Sequence, residues 1–77
     1  MTRLPGVSGK AVVRALERAG FVIHRQTSSH VFLRHRETGA TVIAPVHDSR
    51  DLPRGTLQNI LRRARLTADE LATLPRG

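Results

Sequence analysis

The sequence predicts an α+β fold in which two helices cover one face of a three-stranded antiparallel sheet, in the order α-β-β-β-α. Apolar residues recur at helical spacing near the start and again after residue 53, and three short β-rich stretches lie between these segments. The chain has 77 residues, which suits one domain, and we assign residues 1–77 to it. Helices on one side of the sheet would leave its other side open.

The first helix is predicted to begin after Ser8 and to end at Gly20. Serine is a favourable N-cap, and glycine is a favourable C-terminal stop. Between them, the apolar residues at helical spacing are Val12, Val13, Leu16 and Ala19.

Three strands are predicted at residues 21–26, 30–36 and 40–45. Turn-forming residues separate them, with Thr27-Ser28-Ser29 after the first strand and Glu37-Thr38-Gly39 after the second. Connections this short join antiparallel neighbours, so we expect a meander.

Residues 46–52 are polar and irregular, and Pro53 suits the first position of a second helix. The apolar stripe of that helix is Leu57, Ile60, Leu61 and Ala64. A capping-box pattern at residues 67–70 predicts a short C-terminal helix that carries Leu71 and Leu74. The complete order of elements resembles the double-stranded-RNA-binding fold.

The charge indicates an anionic partner. The formal net charge is +7, and Lys10 is the only lysine, so the other twelve of the thirteen cations are arginines. Arginine binds two phosphate oxygens at once, whereas lysine acts as a point charge. A general preference of the host for arginine would explain the same bias without such a partner.

The composition also limits other classes of function. Without cysteine the chain has no disulfide framework and no thiolate zinc site, and we expect neither a metal nor a small-molecule cofactor. No apolar run approaches the roughly 20 residues that cross a bilayer, and the start lacks a signal-peptide stretch, so we expect a cytoplasmic protein without a membrane partner. Phe21 and Phe32 are the only aromatic residues, which argues against an extended base-stacking platform.

His30 is the candidate catalytic residue. It directly follows the predicted turn between the first and second strands, and an imidazole exchanges protons near neutral pH. Alternation along the second strand places His30, Phe32 and Arg34 on one face and Val31 and Leu33 on the other. If the Val31 side packs under the helices, His30 lies on the open face beside an aromatic ring and an arginine. The reverse assignment, with Phe32 in the core, stays open.

Such a histidine favours the cleavage of RNA. The imidazole can take the proton of a ribose 2′-OH while that oxygen attacks the adjacent phosphorus, and this internal transfer requires no metal. Arg25 is expected to stabilise charge on the phosphoryl oxygens, because a tight hairpin sets it near His30. Ser29 is expected to hold the imidazole or to bind a phosphate oxygen. The candidates for a second proton-transfer group are His24, His35 and His47.

A second group of candidate phosphate-binding residues lies in the loop before the second helix and in that helix. Arg54 stands at the start of this helix, whose free amides also attract an anion, and Gly55 would let a nucleic-acid strand approach the backbone closely. We interpret Asp51 as a helix cap. The candidate RNA- and phosphate-binding residues are Arg25, Ser29, Arg34 and Arg54.

These parts, taken in order, resemble the HicA-type (YcfA-like) toxins, the small mRNA interferases of HicA/HicB toxin–antitoxin pairs. The family pattern is a helix ending in Gly plus an aromatic residue, then Arg-x-x-Gly-Ser-His, a strand, a proline in the third strand and a Gly-Thr-Leu-x-x-Ile helix. The corresponding residues are Gly20-Phe21, Arg25 to His30, Val31 to His35, Pro45, and Gly55-Thr56-Leu57 with Ile60, over roughly residues 8 to 66. Ser28 replaces the glycine of the pattern, which would strain the turn if this position required a positive φ angle.

The resemblance implies a double-stranded-RNA-binding-like fold, ribosome-independent cleavage of mRNA by His30, and a HicB-like antitoxin that covers the active face. An RNA endonuclease toxin is therefore the leading hypothesis. The alternative is a non-catalytic double-stranded-RNA-binding-like module that holds RNA with the same arginines. A third class is an interaction protein whose basic face serves only an acidic protein partner.

Overall fold

The computed structural model describes residues 6–46 and 50–73 and has the predicted order of elements. The elements are α1 (Gly9–Arg18), β1 (Phe21–Gln26), β2 (His30–His35), β3 (Thr41–Pro45), α2 (Arg54–Ala64) and α3 (Ala68–Thr73). The strands form one antiparallel sheet in the order β1-β2-β3. The α+β class and the short C-terminal helix are thus confirmed, while Leu74 and His47 lie outside the described residues. No helix in the described ranges is both long and apolar enough to span a bilayer.

The buried residues of the strands show which face of the sheet packs against the helices. Val31 and Leu33 of β2 are buried, whereas His30 is exposed and Phe32 is only half-buried. The rest of the core comes mainly from β3 and the two long helices: Val42, Ala44, Val12, Val13, Leu16, Leu57, Ile60, Leu61 and Ala64. The orientation that the sequence left open is therefore the one with Phe32 and His30 on the face away from the helices.

A β-bulge in β1 changes which side chains reach that open face. Ile23 pairs with Leu33, but the next pair joins Arg25 to Phe32, so His24 is an extra residue in the ladder. A bulge of this kind interrupts the strict alternation of a strand and redirects the side chains that follow it. The guanidinium carbon of Arg25 accordingly lies 5.6 Å from the centre of the Phe32 ring.

The start of α1 packs against the end of β3. The Ser8 hydroxyl accepts a hydrogen bond from the Ala11 amide at 3.2 Å, so Ser8 is the predicted N-cap. The next residue, Gly9, is buried, and a Cβ at this position would overlap the carbonyl oxygen of Pro45. Only glycine allows the two backbones to approach so closely.

His35 connects the end of α1 to the turn between β2 and β3. Its Nδ1 accepts hydrogen bonds from the amides of Glu37 (3.1 Å) and Thr38 (3.2 Å), so the ring hydrogen is on Nε2, which donates to the Ala19 carbonyl oxygen (3.0 Å). The ring also contacts Phe21 edge-on, with centroids 5.0 Å apart. Both nitrogens of His35 therefore serve the fold.

The two later helices begin in different ways. At α3, the Thr67 hydroxyl accepts from the Glu70 amide (3.0 Å) and the Glu70 carboxylate accepts from the Thr67 amide (2.9 Å), which confirms the predicted capping box. At α2, Pro53 occupies the N-cap position and provides no side-chain cap. The interpretation of Asp51 as the cap is wrong, because a cap must directly precede the first helical residue. The Asp51 backbone instead forms a bridge with Ser8.

We predict that Gly9→Ala lowers the thermal unfolding midpoint. The added methyl group forces α1 and the end of β3 apart, and overpacking of this kind costs about 1–3 kcal/mol. Gly55→Ala is the matched control, because no atom lies within 4 Å of its added Cβ. Thermal melting followed by circular dichroism should show a lower midpoint for the first variant alone. Equal midpoints for both variants would contradict the close packing at Gly9.

We also predict that His35→Phe is destabilising although the ring contact with Phe21 is preserved. The substitution removes three hydrogen bonds, and the Ala19 carbonyl and the amides of Glu37 and Thr38 lose their protein partner. A loss of about 1–2 kcal/mol in the free energy of unfolding is expected, measured by urea denaturation. His24→Ala, at the exposed bulge position, should leave the midpoint unchanged, and the same midpoint for His35→Phe would show that these bonds contribute nothing.

Candidate functional site

The turn between β1 and β2 holds His30 at one end of the open face. The Thr27 amide donates to the His30 carbonyl oxygen (2.9 Å), and the His30 amide donates to the Thr27 hydroxyl (3.1 Å). The Ser29 carbonyl oxygen accepts from the Val46 amide at 2.8 Å, which joins the turn to the residue after β3. The backbone of His30 is therefore fixed from both neighbouring strands.

Ser28 does not strain this turn. Apart from glycines, Arg65 is the only residue in the described ranges with a positive φ angle. Ser28 thus has an ordinary backbone conformation that any residue adopts. The serine that replaces the glycine of the family pattern is compatible with the observed position of His30.

The His30 imidazole is held at one nitrogen and open at the other. Its Nδ1 lies 2.9 Å from the Ser29 hydroxyl oxygen, while its Nε2 makes no hydrogen bond to any described residue. A hydroxyl both donates and accepts, so Ser29 can stabilise either neutral tautomer of the ring. The side chain of His30 is exposed and that of Ser29 is half-buried. Of the two roles expected of Ser29, the geometry provides the one in which it holds the imidazole.

Two adjoining clefts lie between the sheet and the start of α2, and His30, Pro45 and Thr56 line both. The smaller cleft, of ≈ 390 Å³, extends to Gly55. The larger, of ≈ 570 Å³, is lined in addition by Arg50, among others. The first amides of a helix have no partner within the helix, and no side chain caps α2. An anion in these clefts can therefore meet backbone donors and the imidazole together.

The predicted phosphate-binding arginines are spread along the site. Arg25 lies on the same face as His30, diagonally across from it on the neighbouring strand, a separation of about 7–8 Å between Cα atoms. Arg54 is exposed at the first position of α2, but its side chain does not line either cleft. The structure thus brings Arg25 and Ser29 close to His30 and leaves Arg54 beside the clefts.

Arg34 lies towards the opposite end of the open face. It is four residues from His30 on the same strand, a distance of about 13 Å along β2. Its guanidinium is beside Gly39, where an added Cβ would come within 3.7 Å of Nη2. Arg34 lines a separate cleft of ≈ 380 Å³ near the β2–β3 turn. It is therefore not a direct neighbour of the imidazole.

Two of the other histidines, His24 and His35, lie in the described ranges, and their surroundings differ from those of His30. His24 is the exposed bulge residue, and His35 uses both nitrogens in the fold. Within residues 6–46 and 50–73, no group of three His, Asp or Glu side chains is placed to share a metal ion. No second proton-transfer residue is identified in the described part of the chain.

The electrostatics of the open face are of one sign. The three strands contain no aspartate or glutamate, whereas Arg25 and Arg34 lie on this face with His30. A face lined by one sign of charge concentrates ligands of the opposite sign, although Asp51 as well as Arg50 lines the larger of the two clefts at His30. The site is therefore suited to an anionic polymer.

The comparison with known proteins identifies the family. No curated protein matches the chain. The model of the family described as HicA toxin of bacterial toxin-antitoxin matches residues 9–66, about three quarters of the chain, and this span contains α1, the sheet, the His30 turn and α2. The chain therefore belongs to the HicA toxin family and is a toxin of a bacterial toxin–antitoxin system.

Proposed function

We propose that this toxin is a metal-independent endoribonuclease that cleaves mRNA in the cytoplasm with His30 as its catalytic residue. The observation that carries the proposal is the state of the His30 ring: Nδ1 is held by Ser29, and Nε2 is open on a face that has cations and no carboxylate in its strands. An exposed imidazole with one free nitrogen can act as a general base towards a bound substrate.

In the proposed reaction, His30 Nε2 takes the proton of a ribose 2′-OH, and the 2′-oxygen attacks the adjacent phosphorus. The bond between phosphorus and the 5′-oxygen of the next nucleotide breaks, and the imidazolium returns the proton to this leaving oxygen. The products are a 2′,3′-cyclic phosphate and a 5′-hydroxyl end. DNA lacks the 2′-OH and cannot react in this way.

Ser29 acts in this scheme as a positioning residue. For Nε2 to accept a proton, the ring hydrogen must be on Nδ1, and the Ser29 hydroxyl oxygen at 2.9 Å is placed to accept it. The same contact persists when Nε2 becomes protonated, because Nδ1 still donates. Ser29 can thus hold the basic tautomer and also supports the imidazolium that forms.

The arginines bind the RNA backbone at different points in the proposal. Arg25, which lies diagonally across from His30 on β1, stabilises the charge that develops on the phosphoryl oxygens. Arg54 and the free amides at the start of α2 bind a neighbouring phosphate. Arg34 lies farther along the open face and binds a more distant phosphate of the same strand.

A HicB-like antitoxin is the proposed protein partner. The open face exposes Val22 and Ile43 beside Arg25 and Arg34. A partner surface with acidic and apolar side chains is complementary to it and would cover His30 at the same time. Inhibition in this proposal is therefore steric exclusion of mRNA.

We predict that His30→Ala loses RNA cleavage while the fold is unchanged. Loss of a general base lowers kcat by at least about 100-fold, and the exposed His30 ring has only the Ser29 hydrogen bond to lose. Cleavage of a 5′-labelled mRNA fragment with EDTA present is the measurement, and the product should carry a 2′,3′-cyclic phosphate. His24→Ala, an exposed histidine at the bulge, is the control and should cleave like the wild type.

Cleavage by folded His30→Ala protein would remove His30 from the mechanism. If the wild-type protein binds RNA with steep salt dependence and never cleaves it, the non-catalytic binding module is the better reading. Cleavage of a DNA strand at a similar rate would contradict attack by the 2′-oxygen.

We predict that Ser29→Ala lowers kcat by about 5-fold and changes KM little, because one hydrogen bond of about 1 kcal/mol that orients the ring is lost. Ser28→Ala is the matched control, since the hydroxyl of this exposed residue makes no hydrogen bond with the imidazole. Single-turnover cleavage assays at saturating enzyme separate kcat from binding. Equal rates for the two variants would show that Ser29 does not position His30.

A further inference from the structure

We propose that Phe32 and Arg25 form a binding site for one nucleobase of the RNA, next to the cleaved bond. This inference rests on the proposed function and deepens it, because it assigns a base-binding site where the reaction itself needs only the backbone. The site is small: it takes a single base, in keeping with the presence of only two aromatic residues in the chain.

The position of Phe32 supports the proposal first. It is two residues from His30 on β2 and on the same face, so the two side chains are about 6.6 Å apart along the strand. RNA held at His30 by its sugar and phosphate therefore has a base within reach of the Phe32 ring. Phe21, the other aromatic residue, is buried against His35 and cannot serve.

The second observation in support of the proposal is that the apolar residues around Phe32 are exposed. Phe32 pairs directly with Ile43 on β3, and this isoleucine is 51% exposed; Val22, on the same face, is 53% exposed. Phe32 itself is half-buried and does not belong to the core cluster. An aromatic ring bordered by exposed apolar side chains, without a role in the core, is characteristic of a binding surface.

The contact with Arg25 makes a nucleobase the favoured occupant. The guanidinium carbon lies 5.6 Å from the Phe32 ring centre, so a flat cation and a flat ring are already adjacent. Bases of single-stranded RNA stack on aromatic rings and on guanidinium planes. No carboxylate of the three strands is available to pair with Arg25. The pair thus offers stacking for a base and positive charge for its phosphate.

Phe32→Trp tests the site directly. The chain has neither tryptophan nor tyrosine, so the new indole is its only strong fluorophore. In the His30→Ala background, which should not cleave, titration with a short single-stranded RNA is expected to quench the indole as a base stacks on it. RNAs with one abasic nucleotide at successive positions should show quenching lost at one position.

Phe32→Leu provides the affinity measurement and keeps the site apolar. Stacking of one base is worth about 1–3 kcal/mol, so this variant should bind the intact RNA about 5- to 150-fold more weakly. The abasic RNA identified above should bind both proteins equally, because the partner of Phe32 is already missing. His24→Ala, at the exposed bulge position outside the proposed base site, is the control and should bind like the parent.

Equal affinity of Phe32→Leu and its parent for the intact RNA, or an equal loss for intact and abasic RNA, would overturn the proposal. Loss of antitoxin binding by Phe32→Leu with RNA affinity unchanged would also overturn it and assign the ring to a protein interface. The readouts do not depend on cleavage. If the wild-type protein never cuts RNA but the Phe32→Trp indole is quenched at one nucleotide position, the nuclease proposal is rejected and the base site is kept.

Discussion

The burial of Val31 and Leu33 beneath the helices fixes the direction of every other side chain of β2. Side chains of a strand alternate between the two faces, so packing these two residues inward directs His30, Phe32 and Arg34 outward. A slip of one residue would bury an imidazole and a guanidinium and expose two core residues. The arrangement of the candidate site is thus a consequence of the core, and the core specifies it strongly.

Two features outside β2 complete this arrangement, and both depend on contacts between distant parts of the chain. Strict alternation from the buried Phe21 would direct Arg25 towards the helices; the bulge at His24 brings it to the open face over Phe32. Gly9 allows α1 to rest on the carbonyl of Pro45, the residue that pairs with His30. The environment of the imidazole therefore depends on a ladder irregularity and on one missing methyl group.

The sequence predicted what is local and missed what is not. The Ser8 cap, the turn before His30 and the capping box at Thr67 follow from short-range preferences, and the structure contains all three. The bulge at His24 could not be predicted, because it depends on how β1 pairs with β2 and the sequence of neither strand alone indicates it. The prediction for Asp51 is wrong because α2 begins at Arg54, one residue later than predicted. Pro53 therefore occupies the N-cap position, and Asp51 lies two residues before it.

The contrast between His30 and His35 shows what the proposed use of one imidazole for two proton transfers requires. His35 accepts two backbone amides at Nδ1, and amides cannot reverse their role, so its hydrogen stays on Nε2. His30 has a hydroxyl at the same nitrogen, and a hydroxyl can donate or accept. Under the proposed mechanism, the ring of His30 can therefore take up and release a proton at Nε2 without losing its support. The identity of the hydrogen-bond partner thus separates the ring that is proposed to react from the ring that supports the fold.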